Sequence, residues 1–544
     1  MFNQLLTPVG DSLFLSFLVA TIPIIVVLVM LGVLRRPAWQ ASLAGLAVAM
    51  AIAIGVWQMP VSLAVSSTAA GVAFALWPIM WIVFSALILY NTAVLSGRFD
   101  AFRRWVLTHL PNDKRIVLVV IGYGFGSLLE GVAGFGAPVA ISASLLIMLG
   151  FKPIDAVVYA LIFNTAPVAF GSLGIPITTL YSVTNIPADT LGAMVGRQLP
   201  FFALLLPFYV IAMYGGLKSI RELWPVLLVA GGAFATGQFV SSNGPLLSIP
   251  FMTYQLTDVI AAGSSLIATV LFLRVWQPAP NAEYALVVPP EDPNSPHRHV
   301  PTWQGWMPWL IMVGVVGVWT HLAVAAFLRQ RIEWPGLHNQ VFRTLYNDTY
   351  PAIWNWEPFA TGTAVLVTAV LTALVTGVGI SKFLEAIRTA WKQVLFPALT
   401  VTAIVGLAYL MNYSGLTYTL GMAVAKTGIF FPLLSAFLGW VAVFLSGSDS
   451  SGNALFGNLQ VVAANQSVPP LDPVLMAATN SSGGTFGKMI SPQNIATGVA
   501  ISGLQGQEAS IFRRTFIHSL VFTALLSILV WLQQFVFPWM IPPH

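Results

Sequence analysis

Ten stretches of this chain are apolar for about the 20 residues that cross ~30 Å of hydrocarbon. They cover 12–34, 41–59, 78–96, 198–214, 223–240, 256–276, 303–327, 358–380, 394–414 and 515–538. Charge decides whether such runs build a soluble core or lie in lipid. Only 8% of the 544 residues are Asp, Glu, Lys or Arg, against about 25% in a soluble domain. That is too little charge to cover a wetted surface, so a soluble enzyme and a disordered chain are both excluded. An outer-membrane barrel would alternate over segments of about 10 residues, which these runs do not. The expected fold is an all-α polytopic membrane protein in a lipid bilayer. The chain has no cysteine, which removes disulfides, thiolate metal sites and Cys nucleophiles. A net charge of +5 from thinly spread basic residues points to membrane sidedness and not to nucleic acid. No basic n-region precedes 12–34, so that stretch reads as a first span and not as a cleaved signal.

Four further regions, 116–150, 154–185, 430–465 and 473–510, are apolar but interrupted. Their breaks read EGVAGFGAP at 130–138, FGSLGIP at 170–176, SGSDSSGN at 446–453 and NSSGGTFGKMISP at 480–492. Gly, Pro, Ser and Asn end helices. Non-helical backbone at membrane depth is tolerated only inside protein or along a wet cavity. Four such breaks point to a secondary carrier.

The breaks recur in order. Asn164, Phe170, Gly171, Pro176 and Arg197 return 316 residues later as Asn480, Phe486, Gly487, Pro492 and Arg513. Further upstream, Trp77-Pro78 before a span resembles Phe396-Pro397 before another. Two structural repeats are expected. In the first, a basic loop (Arg98, Arg103, Arg104, Lys114, Arg115) follows the Pro-containing span; in the second, Lys382, Arg388 and Lys392 precede it. Basic loops lie inside, so the repeats are inverted. The expected organisation is an N-terminal helix over 1–40, then a first repeat over 41–215 with a cytoplasmic-side hairpin at 116–150. Connecting helices and loops fill 216–357, and a second repeat spans 358–540 with an external-side hairpin at 430–465. About twelve spans plus two re-entrant hairpins result, with both termini and the Trp- and Tyr-rich 328–357 segment outside.

Ionisable groups within a span cost about 2.5–3.5 kcal/mol each and need a reason. Three are expected in the broken core: Glu130 and Asp449 at the hairpin tips, and Lys488. Desolvation disfavours the charged form of a midplane carboxyl, which suits a group that takes and releases a proton. The alternative is a carboxyl that holds a hairpin tip. Lys488 either meets an anionic substrate or neutralises Asp449. Asn164, Thr165, Ser172, Ser446, Ser448, Ser450, Ser451, Asn453, Asn480, Ser481, Ser482 and Thr485 offer neutral polar groups near helix ends. Together with half-helix N-termini they would cradle a small carboxylate without a cluster of Arg. Tyr409 and Asn412 either line the cavity or sit at the interface. His321 and His518 read as interfacial, and His297 and His299 as part of a solvated loop; no cofactor or metal is called for.

Five strings carry a resemblance: EGVAGFGAPVAI at 130–141, SLGIPITTLYSVTNI at 172–186, LMNYSG at 410–415, SGSDSSGNALFGNLQ at 446–460 and ATNSSGGTFGKMISPQNIA at 478–496. They resemble the lactate permease family over nearly the whole chain. The resemblance implies proton symport of L-lactate, with D-lactate and glycolate as further substrates, in the bacterial inner membrane. It also implies kinship to carriers with inverted repeats and paired hairpins. The residues alone imply a secondary carrier for a small anion, with sodium coupling as the alternative to protons.

Overall fold

The computed structural model describes residues 1–34, 36–132, 134, 137–250, 252–286, 300–502 and 507–543. Expectations resting on Arg35, on Ala133, Phe135 and Gly136 of the first break, and on His297, Arg298 and His299 lie outside the described residues, as do the side chains of Arg103 and His321.

Helices carry the frame. Helix α1 (Leu13–Gly32) starts on Ser12, whose hydroxyl accepts the Leu15 N–H at 3.3 Å. After α2 (Ala38–Gly55) comes α3 (Val61–Leu95). It kinks at Trp77 (φ −137°, ψ 113°), because Pro78 drives the residue before it out of the helical region. The sequence places a span only at 78–96, yet the helix begins at Val61. Ser66, Ser67 and Thr68 dilute the apolar signal without breaking the helix. The Ser67 and Thr68 hydroxyls donate to the carbonyl of Ala64 within the same helix.

Helices α4 (Lys114–Val132) and α5 (Ala137–Met148) cover the 116–150 region. Helices α6 (Pro153–Phe163) and α7 (Gly171–Thr184) follow, with a bend of 63° at the break between them. The expected spans at 198–214 and 223–240 lie on either side of a non-helical break at Gly216 (φ 69°) within α8 (Leu199–Asn243). Next come α9 (Thr257–Val275) and α10 (Met307–His321). The second half holds α11 (Thr361–Thr376), α12 (Ile380–Ser414), α13 (Leu416–Ala425) and α14 (Phe431–Ser446). It closes with α15 (Asp449–Gln466), α16 (Pro473–Lys488), α17 (Pro492–Ser502) and α18 (Glu508–Phe535). Gly447 (φ 71°) is the left-handed cap that ends α14 and turns the chain into α15.

Among the described residues, eight helices are long and apolar enough to cross a membrane, or up to ten if each bent pair is one span. The sequence reading counted about twelve. Helix α8 carries two of those, one on each side of Gly216, and α10 and α11 have only 15 and 16 helical residues.

The 328–357 segment is a small cap and not a loop. Gln330–Glu333 pairs antiparallel with Ile353–Trp356, and Val341–Arg343 with Asp348–Thr349. Phe2–Asn3 adds a parallel strand beside Val341 and Phe342, which ties the chain start to the cap. Burial pushes the Glu357 carboxyl above its ordinary range, and Arg329, 2.7 Å away, pulls it back down. The 98–115 segment meets the other connecting region: Arg104 donates to the Val300 carbonyl at 2.9 Å and Asn112 accepts from the Leu286 N–H at 2.7 Å. Buried Arg115 bonds Asp113 at 2.7 Å and Glu222 at 2.5 Å, with its guanidinium over the Tyr284 ring.

Helices α14 and α16 approach through small residues. A methyl group on Gly439 would collide with the backbone of Asn480, one on Gly483 with Ala436, and one on Gly487 with Trp440. Without a hydrophobic force between helices in lipid, such close backbone packing supplies the attraction. It holds the lysine at the end of α16 in place.

Candidate functional site

Glu130 lies near the C-terminal end of α4 and Lys488 at the C-terminal end of α16. Lys488 Nζ donates to Glu130 Oε1 at 2.5 Å, with both side chains buried. The second carboxylate oxygen accepts from Asn164 Nδ2, the residue that ends α6, at 3.0 Å. The sequence left Lys488 either for an anion or for Asp449; its partner is Glu130 instead. Gly483 and Gly487 face α14, and Gly484 faces Asp449 Oδ1.

Asp449 opens α15. Its Oδ2 accepts from Ser481 Oγ at 2.5 Å and from Asn453 Nδ2 at 3.4 Å, while its Oδ1 is buried and has no hydrogen-bond partner among the described residues. Asn453 also donates to the Pro176 carbonyl at 3.1 Å, which ties α15 to α7. Asn480 donates to Asn453 Oδ1 and to the Gly452 carbonyl. Asn164 therefore holds the Glu130 carboxyl directly, and Asn480 holds the first turn of α15 after Asp449.

A cavity of about 40 Å³ lies between these groups, room for a few waters or a compact polar group. Glu130, Ser172, Ser448, Asp449, Ser450, Lys488 and Gln493 supply its polar wall. Three helix starts reach it: Gly171–Pro176 of α7, Ser448–Ser450 at the head of α15, and Gln493 in the first turn of α17. Helix N-termini carry positive partial charge and favour an anion. The α7 start is strained, since Ser172 and Leu173 both adopt left-handed backbone (φ 46° and 60°) before Gly174. Non-glycine residues there cost about 1–3 kcal/mol each and gather where a site needs a special shape.

The remaining expected residues divide. Tyr409 and Asn412 line a second cavity of about 100 Å³ with Tyr350, Tyr413, Trp334 and Trp354, beside the 328–357 cap. Asn412 Oδ1 accepts from Asn458 Nδ2 at 3.0 Å, and Tyr409 donates to the Ser182 carbonyl at 3.4 Å. Thr165, Ser446 and Thr485 donate to carbonyls of their own helix or turn. Ser482 donates to Gln198 Oε1 at 2.6 Å, away from the first cavity. Ser451 Oγ is buried without a hydrogen-bond partner. His518 Nδ1 lies 2.5 Å from the Tyr209 hydroxyl.

Sequence reasoning missed Gln493, Gln198 and Asp258. Gln493 follows Pro492 and could be found as the first-turn residue of a helix that starts at a break. Asp258 opens the 256–276 span and was passed over as a span end; it is fully buried.

Discontinuous helices whose starts surround a buried ion pair, set in a bundle of apolar spans, define a membrane carrier. A profile of the L-lactate permease family matches residues 16–537, and the chain belongs to that family of transporters. It is 40% identical to the glycolate permease GlcA of Escherichia coli (strain K12), over 99% of both chains. It is 40% identical to the L-lactate permease of Bacillus subtilis (strain 168), over 99% of this chain and 100% of that one. The L-lactate permease of E. coli K12 is 39% identical over the full length of both.

Proposed function

We propose that this chain takes up L-lactate, and also D-lactate and glycolate, by proton symport across the bacterial inner membrane. The observation that carries the reading is the Lys488–Glu130 pair on the wall of a cavity reached by three helix starts. A 2-hydroxycarboxylate entering there competes with Glu130 for the ammonium. Once displaced, the Glu130 carboxylate is buried without its cation and takes a proton to lose its charge. Substrate and proton then favour each other. One proton with one monocarboxylate anion moves no net charge, so a pH gradient drives uptake. Ser172, Ser448 and Ser450 supply hydroxyls to the substrate, and Asp449 is a second proton-coupling candidate. The named substrates of the relatives, lactate and glycolate, support the choice of anion.

The organisation proposed with it is a pair of inverted repeats over 41–215 and 358–540, with both termini outside. Contacts between segments assigned to one side support it. The chain start pairs with the 328–357 cap, and Arg197 donates to the Met540 carbonyl at 3.0 Å. Arg514 meets Asp155 at 2.5 Å on the side assigned to the cytoplasm. Uptake into proteoliposomes after a pH jump, compared with a Na⁺ jump at constant pH, tests the coupling ion. Accumulation driven by Na⁺ alone would replace the proton reading with a sodium-coupled carboxylate carrier.

A further inference from the structure

A third carboxyl stands behind the ion pair. Asp258 lies in the first turn of α9 and is 0% exposed. It packs against Gly131, the residue after Glu130: a Cβ added to Gly131 would stand 2.7 Å from Asp258 Cβ. Among the described residues, neither Asp258 oxygen has a hydrogen-bond partner. It does not cap its own helix, and Thr253 caps the turn before it by accepting from the Gln255 N–H at 3.1 Å. Lys488 is held by Glu130. Two tyrosines on elements packed against α9 are occupied elsewhere: Tyr123 donates to the Ala203 carbonyl at 2.7 Å, and Tyr254 bonds Thr178 at 3.2 Å.

An ionised carboxylate buried without a cation or a donor is among the costliest buried groups, by several kcal/mol. A neutral acid avoids most of that cost. Lys488 and Glu130 balance each other's charge, so an ionised Asp258 would add an uncompensated negative charge behind the pair. The resting set therefore holds a proton at Asp258.

We propose, building on the proton-symport reading, that Asp258 is a proton-carrying residue of the transport cycle and hands the coupling proton to Glu130. When the substrate carboxylate takes Lys488, the O–H bond at Asp258 breaks and one forms at Glu130. Asp258 then regains a proton from the side of higher acidity. The loaded set holds Lys488 balanced by the substrate anion, with both carboxyls neutral. On release, Glu130 gives its proton to the opposite side and recaptures Lys488. One proton and one anion have crossed. Glu130 closes the site and Asp258 supplies the proton, so the two carboxyls have different tasks.

Asp258→Asn keeps the shape and removes the exchangeable proton. Purified protein in liposomes is assayed with labelled L-lactate in two ways: accumulation driven by an imposed pH gradient, and lactate–lactate counterflow, which needs no net proton movement. The expected result is accumulation lowered by about tenfold or more, with counterflow still measurable. Asp258→Glu, which restores a carboxyl, recovers accumulation. Accumulation in Asp258→Asn equal to wild type would overturn the proposal. So would joint loss of counterflow and accumulation, which would make Asp258 a structural residue. A wild-type protein that performs counterflow but ignores the pH gradient would retire the proton-symport reading itself.

Discussion

Lys488 Nζ sits 2.5 Å from Glu130 Oε1, although 358 residues of chain separate them. The pair joins the two halves of the chain at one buried point. Removing one member of such a pair strands the other charge, at a cost of about 3–5 kcal/mol, while removing both is far milder. Lys488→Ala should therefore lower the thermal unfolding temperature in detergent, and Lys488→Ala with Glu130→Gln should recover most of it. A double variant no more stable than the single one would mean that the two charges do not support each other.

The same ammonium is the proposed substrate contact. Lys488→Ala should weaken L-lactate binding by more than tenfold, about 1.4 kcal/mol. Titration calorimetry on purified protein measures this, and an unchanged affinity would leave the lysine a purely structural role. Glu130→Gln should separate binding from coupling. With a neutral amide in place of the carboxylate, the ammonium is no longer held by a counter-charge, and the substrate anion has no rival for it. Lactate should bind at least as tightly as in wild type while pH-driven accumulation disappears. Accumulation at the wild-type level would remove Glu130 from the proton path.

These residues were partly legible in the sequence. Charge is so scarce in the apolar stretches that Glu130, Asp449 and Lys488 stand out from neighbours alone. The clustered Gly, Pro and Ser around them mark where helices stop. Partner choice was not legible, because it depends on how α4 and α16 are brought together. The sequence offered Asp449 as the acid for Lys488, and packing brought Glu130 to it. Asp258 was hidden for a different reason: an acid at the end of a span usually faces headgroups and water, and only the packing of α9 against Gly131 buries it. The strands of the 328–357 cap were also hidden. They are two to four residues long and rest on pairing with distant segments, including the chain start.

The close approach of α14 and α16 makes its own prediction. Gly483 faces the backbone of Ala436, with no flexible side chain there to move aside. Gly483→Val should force the helices apart and destabilise the protein by about 1–3 kcal/mol or more. Lys488 would shift with its helix, so lactate uptake should fall even where the variant still reaches the membrane. Wild-type unfolding temperature and uptake in this variant would show that the α14–α16 contact does not set the position of the lysine.

The orientation of the repeats can be read with single cysteines, because the chain has none of its own. Thr108 is exposed in the basic segment assigned to the cytoplasm, and Arg331 is exposed on a strand of the cap assigned to the outside. Arg343 is a poorer choice in the cap, since it bonds Asp348 and lies over the Tyr350 ring. Thr108→Cys should react with a membrane-impermeant maleimide only in inside-out vesicles, and Arg331→Cys only in intact cells. The contrast between the two preparations excludes a merely buried thiol, because each variant is labelled in one of them. Positive loops are retained inside, so the basic 98–115 segment and the cap, which has two strands carrying Arg331 and Arg343, must lie on opposite faces for the repeats to be inverted. Labelling of both cysteines from the same face would end the inverted arrangement and, with it, the outside placement of the N-terminus that pairs with the cap.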